Sequence, residues 1–163
     1  MNAVRRAGAS YDEGIADLPD IETREDVERL VRAFYAKAMV DPVIGFLFTD
    51  VAKLDLEAHV PQITSFWETI LLDARTYRGN PFGVHATLHG KARLREGHFK
   101  VWLGLWFGTV DELFSGERAN AAKVHALRVA QAFSQRLRGF PAPHDEVREG
   151  VVVTHVPGRH GES

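Results

Sequence analysis

The stretch Glu96–Phe114 (EGHFKVWLGLWFGTVDELF) constrains the fold more than any other part of the chain. Phe99, Trp102, Leu105, Trp106, Val110 and Leu113 recur at three- and four-residue steps, the period of an α-helix. Val101, Leu103 and Phe107 fill the remaining faces, so this helix is apolar nearly all round. An element of that kind has to be covered on every side, and it predicts a domain packed around one central buried helix. Its uncharged core, Val101 to Val110, falls far short of the roughly 20 residues that a membrane span needs.

Other segments repeat the helical period. Thr23 followed by Asp26 reads as a capping-box-like start, with Asp where Glu or Gln is usual. Val27, Leu30, Val31, Phe34, Tyr35 and Ala38 then form one apolar face, which Asp41-Pro42 ends. A second helix over Ala52–Asp73 sets Leu56, His59, Ile63, Phe66, Trp67, Ile70 and Leu71 on one side, and Pro61 inside it marks either its effective start or a kink. Ile44–Phe48 reads as a short apolar connector and Thr76–Gly83 as a break dense in turn residues. A brief helix is predicted around Val84–Leu88, and a last one over Glu117–Arg138 with Ala121, Val124, Leu127, Ala130, Phe133 and Leu137. No alternating pattern and no internal repeat competes, so the fold class is all-α. Residues 1–22 read as a loosely docked N-terminal arm, 23–138 as the domain, and 139–163 as a flexible tail. The Val151–Val153 run is too isolated to imply a sheet.

Composition narrows the function. Among 163 residues, 20 Lys+Arg against 22 Asp+Glu give a net charge of −2, which offers no electrostatic footprint for nucleic acid or an anionic membrane. The absence of cysteine excludes disulfides, iron–sulfur clusters, thiolate ligation and a cysteine nucleophile. The N-terminal residues lack the apolar run of a secretory signal, which makes a cytoplasmic location the default expectation.

Histidine is then the most informative residue type. Of the eight, His144, His155 and His160 fall in the polar tail, and His125 lies among Ala and Lys. His59 shares a helical face with Ile63, Phe66 and Trp67, an aromatic wall around one imidazole. His85 and His89 stand four apart after the turn, but the run is HATLH rather than HExxH, and zinc needs more ligands than two. One neutral imidazole ligand in an all-α domain, with Tyr, Trp and ten Phe, suits a large, flat, apolar cofactor with a single axial histidine, namely haem.

Four fragments in order, FYAKAMVDPVIGFLF, HVPQITSFW, YRGNPFGVHATLH and HFKVWLGLWFGTVDELFSGERA, resemble the truncated haemoglobins, specifically the third group, from about Thr23 to Arg138. The resemblance implies a globin-like, truncated two-over-two helical sandwich around haem b (iron protoporphyrin IX). It implies that His85 is the proximal iron ligand, with His89 the competing candidate after the same turn. Tyr35 and Trp102 match distal donors to bound O2, His59 matches the distal-helix histidine, and Phe48 the phenylalanine on the porphyrin face. Ile63, Phe66 and Trp67 would line or back the distal side. Tyr77, Lys91, Arg93 and Arg95 are candidates for the haem propionates, with nothing in the sequence to select among them. The implied function is binding of O2, CO, NO or sulfide, tight enough to be poor for oxygen delivery. The enzymatic alternative is peroxidase or NO dioxygenase chemistry with a reductase as partner, and the remaining alternative is a haem-free helical interaction domain. Monomer and homodimer are both open.

Overall fold

The computed structural model describes residues 18–142 together with 144–148 and 151–155. Five α-helices make up the body: α1 (Arg24–Ala38), α2 (Leu56–Leu72), α3 (Pro81–Lys91), α4 (Glu96–Leu113) and α5 (Glu117–Leu137). A π-helical turn, Leu47–Val51, lies between α1 and α2. α1 pairs with α2 and α4 with α5, and the two pairs pack across α1–α4 and α2–α5; α3 rests on α5. The body is all-α, as the helical periodicity predicts, and its two stacked helix pairs form the globin-like two-over-two arrangement that the resemblance implies.

The capping box at Thr23 forms as read: the Thr23 hydroxyl accepts from Asp26 N at 3.2 Å and the Asp26 carboxylate accepts from Thr23 N at 3.1 Å. α2 begins upstream of Pro61 and runs through it, so Pro61 removes one helical N–H without ending the helix. The Pro61 carbonyl accepts from Arg24 Nη2 at 3.3 Å, while Arg24 Nη1 reaches Glu68 at 3.0 Å, which pins α2 to the start of α1.

Five expectations need correction. Pro81–Gly83 belongs to α3 rather than to the preceding break, because Asn80 caps the helix by accepting from Gly83 N at 3.0 Å and Pro81 occupies the first turn, where its missing N–H costs nothing. The Ile44–Phe48 connector winds into the π-turn, with Leu47 buried. On α5 the buried stripe is Ala119, Ala122, Ala126, Ala130, Phe133 and Leu137, leaving Val124 at 46% and Leu127 at 40% exposure. Small residues win that face because α4 presents Trp106, whose indole N–H reaches the Ala122 carbonyl at 3.2 Å. The fourth correction concerns the tail: His144–Arg148 and Val151–His155 pair as an antiparallel ribbon with Arg148 opposite Val151, where no sheet was expected. Two residues separate the strands, the commonest hairpin spacing, and the three β-branched valines supply strand preference.

The fifth correction is at the arm, of which Leu18–Glu22 is described. Ile21 is fully buried, and Asp20 serves as a cap supplied from a distance. Its carboxylate accepts from Arg118 N at 3.0 Å and Ala119 N at 2.9 Å, at the start of α5, whose own N-cap, Gly116, has no side chain to offer. Gly116 sits at φ 136°, and a Cβ there would lie 2.6 Å from Asp20 Cγ. Burial alone would raise the Asp20 pKa, but the N–H groups of Arg118, Ala119 and Ile21 and the Arg118 charge outweigh it and hold the carboxyl below its ordinary value.

Asp20→Ala is therefore expected to cost about 0.5–2 kcal/mol, as lost helix caps do, and Gly116→Ala at least as much. Because the folded-state pKa of Asp20 is depressed, its ionic contribution is complete above the unfolded carboxylate value of about 3.9 and is lost as pH falls through the folded value. Urea midpoints of wild type and Asp20→Asn should differ at pH 7 and converge below about pH 4; a pH-independent gap contradicts the cap.

Candidate functional site: an apolar cavity with two facing histidines

A cavity of about 210 Å³ opens between α2, α3 and α4, floored by the ends of α1 and α5. Its lining explains why α4 is apolar nearly all round: Trp106 is buried against the other helices, while His98, Phe99 and Trp102 turn towards the cavity and keep partial exposure. All of Tyr35, Phe48, His59, Ile63, Phe66, Trp67, Tyr77, His85 and Trp102 line it, so the structure brings these predicted residues together. Arg93 is not among the lining residues; it sits by His89, whose pKa its charge depresses.

His85 comes from the second turn of α3. Its Nδ1–H donates to the Pro81 carbonyl at 2.7 Å, one turn back, so the lone pair is left on Nε2. Burial pushes the His85 pKa down, against the raising effect of the Pro81 carbonyl, and keeps the ring neutral. Phe133 of α5 backs the ring at 4.9 Å. The result is a neutral nitrogen donor, oriented by its other ring atom, in an apolar hollow. Among the described residues no group of three or more His, Asp or Glu converges on a metal-sized site. A single axial nitrogen is the donor set for a metal whose remaining ligands arrive with a macrocycle, and these residues fit haem.

His89 has a different fate. It is buried, its Nδ1 accepts from Leu94 N at 3.0 Å, and the Phe140 carbonyl takes its remaining ring proton. One nitrogen thus closes the turn between α3 and α4, the other ties α3 to the segment after α5, and the residue is absent from the cavity lining. Sequence spacing alone could not separate the two histidines, because both lie on the same helix face.

Across the cavity, Tyr35 Oη and His59 Nε2 are 2.8 Å apart, with donor and acceptor set by the imidazole tautomer. The Tyr35 ring is held edge-on by Phe34 at 5.2 Å and Phe48 at 5.7 Å. Burial pushes the Tyr35 phenol up, so it stays protonated, and pushes the His59 imidazole down. Trp102 stacks parallel to Trp106 at 6.1 Å, and among the described residues nothing accepts its indole N–H. His98 also lines the cavity, with Nδ1 accepting from Arg95 N at 3.0 Å and Phe46 edge-on at 6.1 Å. Sequence reading gave it no role, although it precedes Trp102 by one helical turn. The same spacing argument that singled out His59 would have found it.

No protein-family model and no curated protein matches the chain. Among solved structures it is similar to the crystal structure of the group III truncated haemoglobin from Campylobacter jejuni, with a TM-score of 0.63 and 25% identity over 72% of this chain and 94% of that one. The fold is that of the globin-like truncated haemoglobins. Within that class the chain resembles the third group, as its four sequence fragments imply. No helix among the described residues is long and apolar enough to cross a membrane.

The two histidines should separate in the protein free of cofactor. His89→Ala is expected to lower its stability by about 2 kcal/mol, because it empties the space of a buried ring and strands the partly buried Leu94 N–H. His85→Ala, which frees only a helix carbonyl, should cost less. Urea denaturation of both variants checks this, and equal losses would contradict the division of roles.

Proposed function

We propose that the protein is a haem-containing, diatomic-ligand-binding protein of the truncated-haemoglobin kind, holding haem b through His85. The single observation that supports this most is the state of the His85 ring, neutral and pinned through Nδ1 so that Nε2 is left for a metal, in a cavity without formal charge. Haem, when bound, supplies the iron centre that takes O2, CO, NO or sulfide. His85 fixes the cofactor from one side, and Phe48, Ile63, Phe66 and Phe99 exclude water from its faces. Trp67 packs behind this wall.

On the side opposite His85, the chain offers hydrogen-bond donors in a dry pocket. With the His59 proton on Nε2, that N–H donates to Tyr35 Oη and the phenolic proton is free to turn towards a ligand. The unpartnered Trp102 N–H is the second donor. A desolvated donor to a partly charged acceptor is worth about 1–3 kcal/mol, so each slows ligand escape roughly 5- to 150-fold. Tight retention suits scavenging or sensing better than delivery. A haem-free interaction domain would have no use for a cavity-lining histidine whose second nitrogen lacks a partner among the described residues.

Absorption spectra of the reconstituted ferric, ferrous and ferrous-CO protein test this reading. A Soret band should appear in wild type and in His89→Gly, be lost or altered in His85→Gly, and return to that variant with added imidazole. Wild type that takes up no haem overturns the proposal. In the oxygenated protein, Tyr35→Phe and Trp102→Phe should each speed O2 release by about tenfold or more, measured by stopped-flow displacement with CO. Unchanged rates in both would remove the donors from the reading.

A further inference from the structure

Among the described residues the main cavity is lined by imidazoles, aromatic rings, aliphatic side chains and the Gln62 amide, without any Lys, Arg, Asp or Glu. It accepts the apolar body of a planar cofactor and has nothing with which to neutralise an acid group. A second hollow adjoins it, between the outer face of α2 and the loop that precedes α3. Gln62 and Tyr77 line both spaces and so form the partition between them. Arg78 lines the second hollow and, among the described residues, is the one charged side chain bordering either space.

The surroundings of Arg78 favour an incoming anion. Arg78 is exposed and makes no ion pair among the described residues. The nearby carboxylate, Glu68, is already occupied, by Arg24 Nη1 at 3.0 Å and Thr76 Oγ1 at 3.2 Å. Tyr77 is held in place on three sides. Its N–H donates to Thr69 Oγ1 at 3.2 Å, its ring is edge-on to Phe66 at 5.3 Å, and its hydroxyl folds over Gly79. A Cβ on Gly79 would come within 2.3 Å of Tyr77 Oη, so only glycine leaves the hydroxyl where it is. The partition therefore presents a fixed O–H and the Gln62 amide beside a guanidinium, a donor set suited to a carboxylate.

We infer that this side hollow is a carboxylate-binding site that receives one of the two propionate arms of the porphyrin, with Arg78 as the charge partner and Tyr77 and Gln62 as neutral donors. The inference rests on the haem reading above and selects Arg78, which sequence reasoning did not name, over Arg93, which is off the lining. An aliphatic arm on the cofactor edge crosses the partition while the ring stays in the apolar cavity. The contacts hold the cofactor at its open edge, where Gln62 and Val84 are exposed.

Loss of cofactor to an excess of a haem-scavenging globin separates the outcomes, with haem and its dimethyl ester loaded in parallel into the full-length protein. Arg78→Ala is expected to speed haem loss about two- to fivefold, with Arg78→Lys intermediate and Tyr77→Phe and Gly79→Ala in the same direction. The same variants should leave loss of the ester unchanged, because it carries no carboxylate to grip. Acceleration of both forms to the same degree would mean that Arg78 supports only the loop, and no acceleration of either would mean that the hollow holds no acid group; each overturns the inference. In the cofactor-free protein, free propanoate should not shift the Arg78 Nε–Hε resonance at millimolar concentration, since one weak ion pair at an exposed site has no apolar body to anchor it. A saturable shift would mean a stand-alone site for small acids and would overturn the assignment to the cofactor's own arm. If wild type takes up neither haem nor its ester, the haem reading itself fails first, which is a result distinct from the others.

Discussion

Trp106 is the contact on which both pairs of helices depend. It projects from α4, stacks on Trp67 of α2 at 4.5 Å, meets Phe34 of α1 edge-on at 5.4 Å, and donates its indole proton to the Ala122 carbonyl of α5. One side chain thus touches all four helices of the sandwich, at 1% exposure. Its size dictates the alanine stripe opposite, since only small residues let α5 approach closely enough for its backbone to be reached. It also lines the cavity, so the rigid centre of the fold and part of the wall of the site are the same residue. Large stacked aromatic rings suit that double duty, because they fill volume with few rotatable bonds and leave a hollow with fixed walls.

The electrostatics of the cavity follow from the same packing. Among the described residues, three imidazoles and two phenols border a space with no Lys, Arg, Asp or Glu, and burial is the leading influence on every one of them. Phenols are pushed up and imidazoles down, so all five favour their neutral forms. The polar atoms are divided by hydrogen bonding rather than by charge. His85 gives its Nδ1 proton to its own helix, whereas Tyr35 and His59 share a proton across the opposite wall.

Much of this was legible in the sequence, for identifiable reasons. Helices show because their apolar period is strong, and Thr23 and Asp26 announce a start through the hydrogen bonds their side chains make. The residues that line the cavity were found where several lie on one face, as with His59, Ile63 and Phe66. Other features depend on what stands opposite and were not visible from one element alone. The stripe that α5 buries is set by Trp106, and the choice between His85 and His89 by Leu94 and Phe140. The start of α3 was misplaced because Asn80 and Pro81 belong equally to a turn vocabulary and to a helix N-terminus. His98 was missed although its spacing from Trp102 was available. Arg78 was missed because an exposed arginine in a loop resembles any solvated charge until the hollow beside it is seen.

The cap that Asp20 places on α5 has a consequence for how the chain comes together. The bond joins residues 98 and 99 positions apart, so it closes nearly the whole described helical body into a ring. Such a closure is entropically costly before the intervening helices pack, and it places a strongly non-local contact at the first turn of the last helix. Ser115 N–H adds a second tie, to the Pro19 carbonyl. The start of α5 therefore depends on residues that a growing chain has produced long before. The helix whose Phe133 backs His85 is anchored at its far end by the segment ahead of α1. Fraying at Asp20 is in that sense a disturbance at the origin of the element behind His85.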